Sequence, residues 1–182
     1  VMADIGVLPN SVENNISEWL EAGGTLVRFA GPRLAASAED DPFLPVALRA
    51  GERALDGALT WTEPQIVAPF PPNSPFAELQ APLDVTVNRQ LLAEPDPNLA
   101  DKTWSSLADG TPLVTGERRG KGSIVLFHVT AEATWSNLPI SGSFVDMLRR
   151  IADLSSNTGA LQIATQTTSG ETLAPLRIIR SD

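Results

Sequence analysis

Residues 1–8 (Val1-Met2-Ala3-Asp4-Ile5-Gly6-Val7-Leu8) are mostly apolar and lack a helical period, the pattern of a strand buried in a parallel sheet. Pro9-Asn10-Ser11 breaks the run, and Asn10 with Glu13 three residues on resembles a capping box. Val12, Ile16, Trp19 and Leu20 then fall on one helical face, and Gly23-Gly24 supply a C-terminal stop. Residues 25–30 form the next apolar run. The pattern predicts a strand–helix–strand unit with a right-handed crossover. Since the chain opens inside a strand, we expect it to be cut from a longer protein, with further strands of the sheet upstream.

Residues 31–82 have a weaker rhythm. Gly31-Pro32-Arg33 starts a short helical piece through Ala38, and Glu39-Asp40-Asp41 forms an acidic turn. Arg53-Ala54-Leu55, Asp56-Gly57 and Ala58-Leu59-Thr60-Trp61 read as a hairpin about a tight primed turn. Pro64, Pro69, Pro71, Pro72 and Pro75 exclude a helix or a central strand from the next stretch. It is expected as an extended surface arm, serving either to dock a partner or as an excursion packed on its own domain, and the second is the commoner outcome.

Periodicity returns at Leu83, Val85 and Val87, which alternate with polar residues and predict one half-buried strand over 83–92, ended by Glu94-Pro95-Asp96-Pro97-Asn98. Asp109-Gly110 turns the chain into a strand over 112–117, and Arg118-Arg119-Gly120-Lys121-Gly122 turns it again. Residues 123–129 (Ser123-Ile124-Val125-Leu126-Phe127-His128-Val129) are the most apolar run and are expected at the sheet centre. Ser141 or Ser143 caps a last helix whose Phe144, Met147, Leu148 and Ile151 face inward. A Ser/Thr/Gly/Gln-rich linker is expected over 155–170 and a terminal strand over 173–179. The organisation is thus an α/β domain over 1–153, a three-layer sandwich with a mostly parallel sheet, an added hairpin and a Pro-rich arm, followed by a linker and strand over 154–182.

Composition narrows the chemistry. Apolar residues make up 42% and charged residues 19% of 182, enough for a real core. There is no Cys, which removes disulfides, thiolate metal sites and a Cys nucleophile. There is one His, which removes a multi-His metal centre, so no metal and no cofactor is expected. The net charge of −9 falls entirely in residues 1–100, which hold 5 basic and 14 acidic residues, while 101–182 hold 8 of each. Such a surface repels nucleic acid, so none is expected as a partner.

The candidate reactive groups are few. A hydrolase elbow of the G-x-S-x-G kind would place Ser between strand and helix, but that turn reads Phe29-Ala30-Gly31-Pro32 and carries no nucleophile. Gly116-Glu117-Arg118-Arg119-Gly120-Lys121-Gly122-Ser123 suggests a phosphate loop, but Gly122 separates Lys121 from Ser123 and the run joins two strands. A basic hairpin turn is the expected outcome. His128 lies near the C-terminal end of the strongest strand, the edge at which open α/β sheets bind ligands. Glu132 follows four residues later and Asp4 ends another strand, so His128 with a carboxylate is a candidate acid/base pair. The competing reading is a core histidine bonded to a backbone carbonyl. Of the tryptophans, Trp19, Trp61 and Trp104 are expected in or near the core, whereas Trp135 is placed to line a pocket or a partner surface. Arg28 and Arg33 flank the elbow and are available to the acidic turn at 39–41 or to an anionic ligand.

Two runs carry a resemblance. Trp19-Leu20-Glu21-Ala22-Gly23-Gly24-Thr25-Leu26-Val27-Arg28-Phe29-Ala30-Gly31-Pro32-Arg33-Leu34 resembles the helix–GG–strand–elbow of class I glutamine-amidotransferase-like domains. The second, from Asp109-Gly110-Thr111-Pro112 to Gly120-Lys121-Gly122-Ser123-Ile124-Val125-Leu126-Phe127-His128, resembles their closing hairpin. Both runs, covering roughly 1–153, are more closely similar to the middle domain of large bacterial inner-membrane proteins that pair an aerotolerance-regulator-type N-terminal segment with a C-terminal domain of unknown function. The resemblance implies a flavodoxin-like, amidotransferase-like fold. It also implies that Ala30 stands where active members carry Cys, and that Phe127-His128-Val129-Thr130 keeps the Phe-His of a Phe-His-Pro-Glu run but replaces its Glu with Thr130.

The expectation is a catalytically silent domain serving assembly, interaction or ligand sensing, with no catalytic residue. Its candidate ligand pocket comprises Asp4, Ala30, Arg33, His128, Glu132 and Trp135. Its partners would be other domains of the same membrane protein or other proteins, with a homodimer possible. Its location would be a soluble domain of a bacterial inner-membrane protein, the periplasmic side slightly favoured. The alternatives are a hydrolase in which His128 with Asp4 or Glu132 activates water, and a carbohydrate- or cell-wall-binding module built on Trp135 and the Pro-rich arm.

Overall fold

The computed structural model describes residues 1–54, 61 and 63–166. Its main sheet is built around the two most apolar runs, β2 (Thr25–Phe29) and β9 (Gly122–Phe127), which pair in parallel from Thr25↔Ser123 to Phe29↔Phe127. β1 (Met2–Ala3) pairs in parallel with β2. On the other side, β8 (Pro112–Arg119) pairs antiparallel with β9, and β7 (Thr103–Ser106) pairs antiparallel with β8. The five-strand order is β1-β2-β9-β8-β7. The sheet is therefore mixed, with two parallel and two antiparallel pairings, and the expected mostly parallel sheet is corrected. The reason lies in the hairpin at 118–122, where Gly120 adopts φ +57°, which glycine tolerates without a Cβ penalty.

The side chains of β2 and β9 alternate between two cores. Val27, Phe29, Val125 and Phe127 face the larger one, where Phe29 stacks on Phe127 with ring centroids 4.8 Å apart. Leu26 and Ile124 face the smaller one with Leu20 and Phe43. α4 (Gly142–Gln166) covers the first face through Phe144, Met147, Leu148 and Ile151, the four residues expected inward. Its start is capped by Ser141, whose Oγ accepts from the Phe144 N–H at 3.2 Å. The helix runs on to Gln166, so the linker expected from 155 is helical over most of its length. No proline interrupts it before Pro175. The strand expected at 173–179 lies outside the described residues.

α1 (Asn10–Glu21) covers the second face, but only Leu20 of its expected apolar face is buried. Trp19, expected in or near the core, is 48% exposed and lies across Gly24. The expected capping box is absent too. Pro9 is the N-cap and its carbonyl takes the Val12 and Glu13 N–H groups, so Asn10 is already inside the helix. The opening run is also shorter than expected. β1 has two residues at the sheet edge, and Val7 beyond it is 85% exposed.

The middle of the chain folds over the end of the sheet. After α2 (Pro32–Ser37) and a 3-10 turn at Ala38–Asp40 comes β3 (Leu48–Ala54). The hairpin expected at 53–61 falls mostly outside the described residues. Within them, β3 pairs with β6 (Arg89–Ala93). The strand expected over 83–92 is two strands, since Asn88 separates β5 (Thr86–Val87) from β6. β5 pairs with β4 (Gln65–Ile66) in a ribbon of its own. The Pro-rich stretch packs on its own domain: Phe76 is fully buried, and Ser74 Oγ donates to the Trp104 carbonyl at 2.6 Å. A one-turn helix, α3 (Leu99–Lys102), leads into β7.

Candidate functional site

The C-terminal ends of β1, β2 and β9 frame an open cleft of about 630 Å³. Four of the six expected residues line it: Asp4, Arg33, Glu132 and Trp135, with Thr130 and Thr134 between them. Ala30 and His128 do not, which corrects the expected set. The cause is local. Both residues continue their strands by one more position, so Ala30 N–H donates to Phe127 O and His128 N–H to Leu113 O, each at 2.9 Å, and both side chains are fully buried.

Asp4 is committed to structure. Its N–H donates to Phe29 O at 3.0 Å, and its backbone takes φ +47°, a left-handed conformation that Asp tolerates better than most residues. That bend aims the carboxylate at the start of α2, where Oδ1 accepts from Arg33 N–H at 2.9 Å and Leu34 N–H at 3.0 Å. Two otherwise unpaired helix donors are thereby satisfied from β1, 29 and 30 residues away in sequence. Gly31 makes this approach possible, because a Cβ there would overlap the Asp4 carboxyl group.

The rest of the cleft is loosely built. Arg33 is exposed, and its guanidinium has no ion pair among the described residues. Glu132 is exposed, and its backbone carbonyl, not its carboxylate, accepts from Thr130 Oγ1 at 2.9 Å. Trp135 belongs mainly to the core. It is 3% exposed, its carbonyl takes the Asn88 and Arg89 N–H groups, and the Arg89 guanidinium lies 5.7 Å from its ring centroid.

His128 makes its contacts on the other side of β9. Nδ1 lies 2.8 Å from the Leu91 carbonyl, which can only accept, so Nδ1 carries the proton. Nε2, 3.0 Å from Thr115 Oγ1, accepts from that hydroxyl. Burial lowers the imidazole from 6.5 to about 4, with the bond to Leu91 pulling weakly the other way, so the ring is neutral at physiological pH. Neither ring nitrogen meets a carboxylate. The expected acid/base pair with Asp4 or Glu132 is therefore not assembled, and the competing reading of a carbonyl-bonded core histidine describes the geometry. The backbone adds to the clamp, since Leu91 N–H donates to His128 O at 2.9 Å. His128 thus ties β6, and the ribbon it forms with β3, to the central strand.

Arg28 is the second buried polar centre. Its side chain is 1% exposed. One guanidinium nitrogen donates to Asp41 Oδ2 at 2.6 Å and to Phe43 O at 3.3 Å, and the other to Ile5 O at 2.8 Å. Of the two partners expected for it, the acidic turn prevails. Thr115 and Leu91, the partners of His128, were not among the expected site residues. The only signal was the presence of a charged and an imidazole side chain within two apolar runs, each of which had to find a bond. The run 116–123 forms the β8–β9 hairpin, with its turn at Gly120 and Lys121, where a basic hairpin turn was expected.

No protein-family model matches the chain, and no curated protein matches it. Two solved structures are similar. Cytoplasmic protein STM1381 from Salmonella typhimurium LT2 aligns with a TM-score of 0.52 at 14% identity, over 73% of this chain and 60% of that one. Cytoplasmic protein STM3548 from Salmonella typhimurium aligns with a TM-score of 0.48 at 19% identity, over 74% and 61%. The chain spans about 60% of the length of these neighbours. The expected inner-membrane, periplasmic-side location is corrected by the first of these, which is described as a cytoplasmic protein. No helix among the described residues is long and apolar enough to cross a membrane. The likeness to the first is one of fold, and this chain's own mixed five-stranded sheet with few helices makes it an α/β protein.

Proposed function

We propose that this is a catalytically silent, amidotransferase-like α/β domain that works by binding, in the cytoplasm. The observation that carries the reading is the pairing of Ala30 with His128. One residue beyond the Phe29↔Phe127 register pair, they occupy neighbouring strand ends, where an elbow nucleophile and its histidine would stand. One is a methyl group, and the other is bonded through both ring nitrogens to Leu91 and Thr115. A base must reach the proton it abstracts, and this imidazole has no free nitrogen, while the one hydroxyl bonded to it, on Thr115, is fully buried with it and out of reach of a substrate. The packing of Leu20 against one face of the sheet and of Phe144 against the other supports the finer description, a three-layer flavodoxin-like sandwich.

The test is turnover. The purified chain, assayed on glutamine and on activated amide and ester substrates, is expected to give no hydrolysis above buffer. Ala30→Cys is expected to remain inactive, because the new thiol gains no general base. Hydrolysis by the native chain that disappears in His128→Gln would overturn the proposal.

A further inference from the structure

A second groove, of about 860 Å³, lies away from the cleft, between α2, the start of β3, the segment after β6 and α3. Its lining includes the aliphatic side chains of Ala35, Val46, Leu48 and Leu99. Two of its acids are already neutralised: Asp41 by Arg28 at 2.6 Å, and Glu117 by Lys102 at 3.4 Å. Among the described residues, three carboxylates remain, on Glu39, Glu94 and Asp96, all exposed, against one cation without an ion pair, Arg49. Asp96 accepts one backbone bond, from Asn98 N–H, while Glu39 and Glu94 have no side-chain partner among the described residues. The groove therefore joins aliphatic lining to a rim with more acids than bases among the described residues, in the part of the chain that holds the whole net charge of −9.

We propose that this groove docks a segment of a partner protein that carries arginine or lysine among small aliphatic side chains. Charge complementarity selects the occupant. An anionic segment would meet three carboxylates, and a purely apolar one would strip water from them without replacing it. A cationic segment pairs with the rim while its aliphatic groups cover the alanine and leucine side chains of the lining. Small side chains suit that lining, since Ala35, Ala36 and Ala38 leave shallow relief. The volume lies within the range of pockets that enclose a compact ligand or a short peptide.

The experiment is fluorescence anisotropy with the full chain and two short dye-labelled peptides, one with arginine spaced among alanine and leucine, the other all lysine. The mixed peptide is expected to bind, to weaken as salt rises, and to bind more tightly than the lysine peptide by about tenfold. Glu39→Lys with Glu94→Lys, both surface changes that remove no side-chain bond found among the described residues, is expected to weaken it by a factor of about ten and to admit a peptide in which glutamate replaces arginine. The proposal is overturned if the mixed peptide does not bind at low salt, if the lysine peptide binds equally well, or if the charge-reversed chain binds the mixed peptide as the native one does. Equal binding by the lysine peptide would mean that the acidic surface acts as a field, without a groove.

Discussion

Two regions near the C-terminal edge of the sheet use their polar residues in opposite ways. Beneath the surface, Arg28 and His128 are sealed and fully bonded, each joining segments far apart in sequence. In the open cleft above, the side chains of Arg33 and Glu132 are exposed and have no partner among the described residues. The side chains whose chemistry drew attention in the sequence hold the fold, and those free to meet a ligand are supported by little. Burial raises the cost of leaving a polar group unpaired, so the interior arrangement is fixed tightly while the cleft is free to vary.

The sharpest way to break the contrast is at Arg28. Arg28→Ala strands the Asp41 carboxylate at 5% exposure and leaves the Ile5 and Phe43 carbonyls without their donor. Removing one member of a buried pair costs about 3–5 kcal/mol. Denaturant unfolding is expected to show a loss of that size, and Arg28→Met with Asp41→Leu a smaller one, because no charge is then left alone. If Arg28→Ala proves as mild as a surface change, the interior centre is not what anchors the 39–43 turn.

The next effect is read with pH. The folded pKa of His128 lies near 4, against 6.5 for the free side chain. The unfolded chain therefore binds more protons through this window. The stabilising contribution of the neutral ring is complete above pH 6.5 and is lost as pH falls from 6.5 to 4. By linkage it amounts to about 3 kcal/mol. A series of unfolding curves between pH 7 and 4 is expected to show that decline, with the His128 share missing in His128→Gln. A decline of the same size in the variant would assign the acid sensitivity to the carboxylates instead.

Much of the frame was legible because it is written in local pattern. The apolar runs of β2 and β9 dictate strands, Gly23-Gly24 a helix stop, Ser141 a cap, and Phe144, Met147, Leu148 and Ile151 an inward stripe. What failed depends on distant partners. Val85 and Val87 alternate as in one strand, but β5 and β6 belong to different ribbons, because β4 and β3 compete for them from opposite sides of Asn88. Asn10 has the type of a cap, but Pro9 takes the position. The candidate site was half legible for the same reason. Asp4, Arg33, Glu132 and Trp135 meet because strand ends converge at this edge. His128 was withdrawn by Leu91 and Thr115, 37 and 13 residues away, which no spacing rule connects to it.

Asp4 lies between the two regions, since it lines the cleft yet is bonded like an interior residue. Asp4→Ala removes the acceptor for Arg33 and Leu34 N–H and is expected to cost about 1 kcal/mol, the usual price of an N-cap. Asp4→Asn keeps an acceptor and is expected to cost less.

The smallest effect belongs to the open side of the comparison. Arg33→Ala and Glu132→Ala delete no side-chain bond found among the described residues. Each is expected to leave stability within about 0.5 kcal/mol of the native chain. That near-silence is what makes the two variants useful, because any change they cause in ligand or partner binding reports on the cleft itself and not on the fold. A loss of stability approaching that of Asp4→Ala would show that the two exposed side chains brace the strand ends, and the division between a bonded interior and an idle cleft would then be drawn in the wrong place.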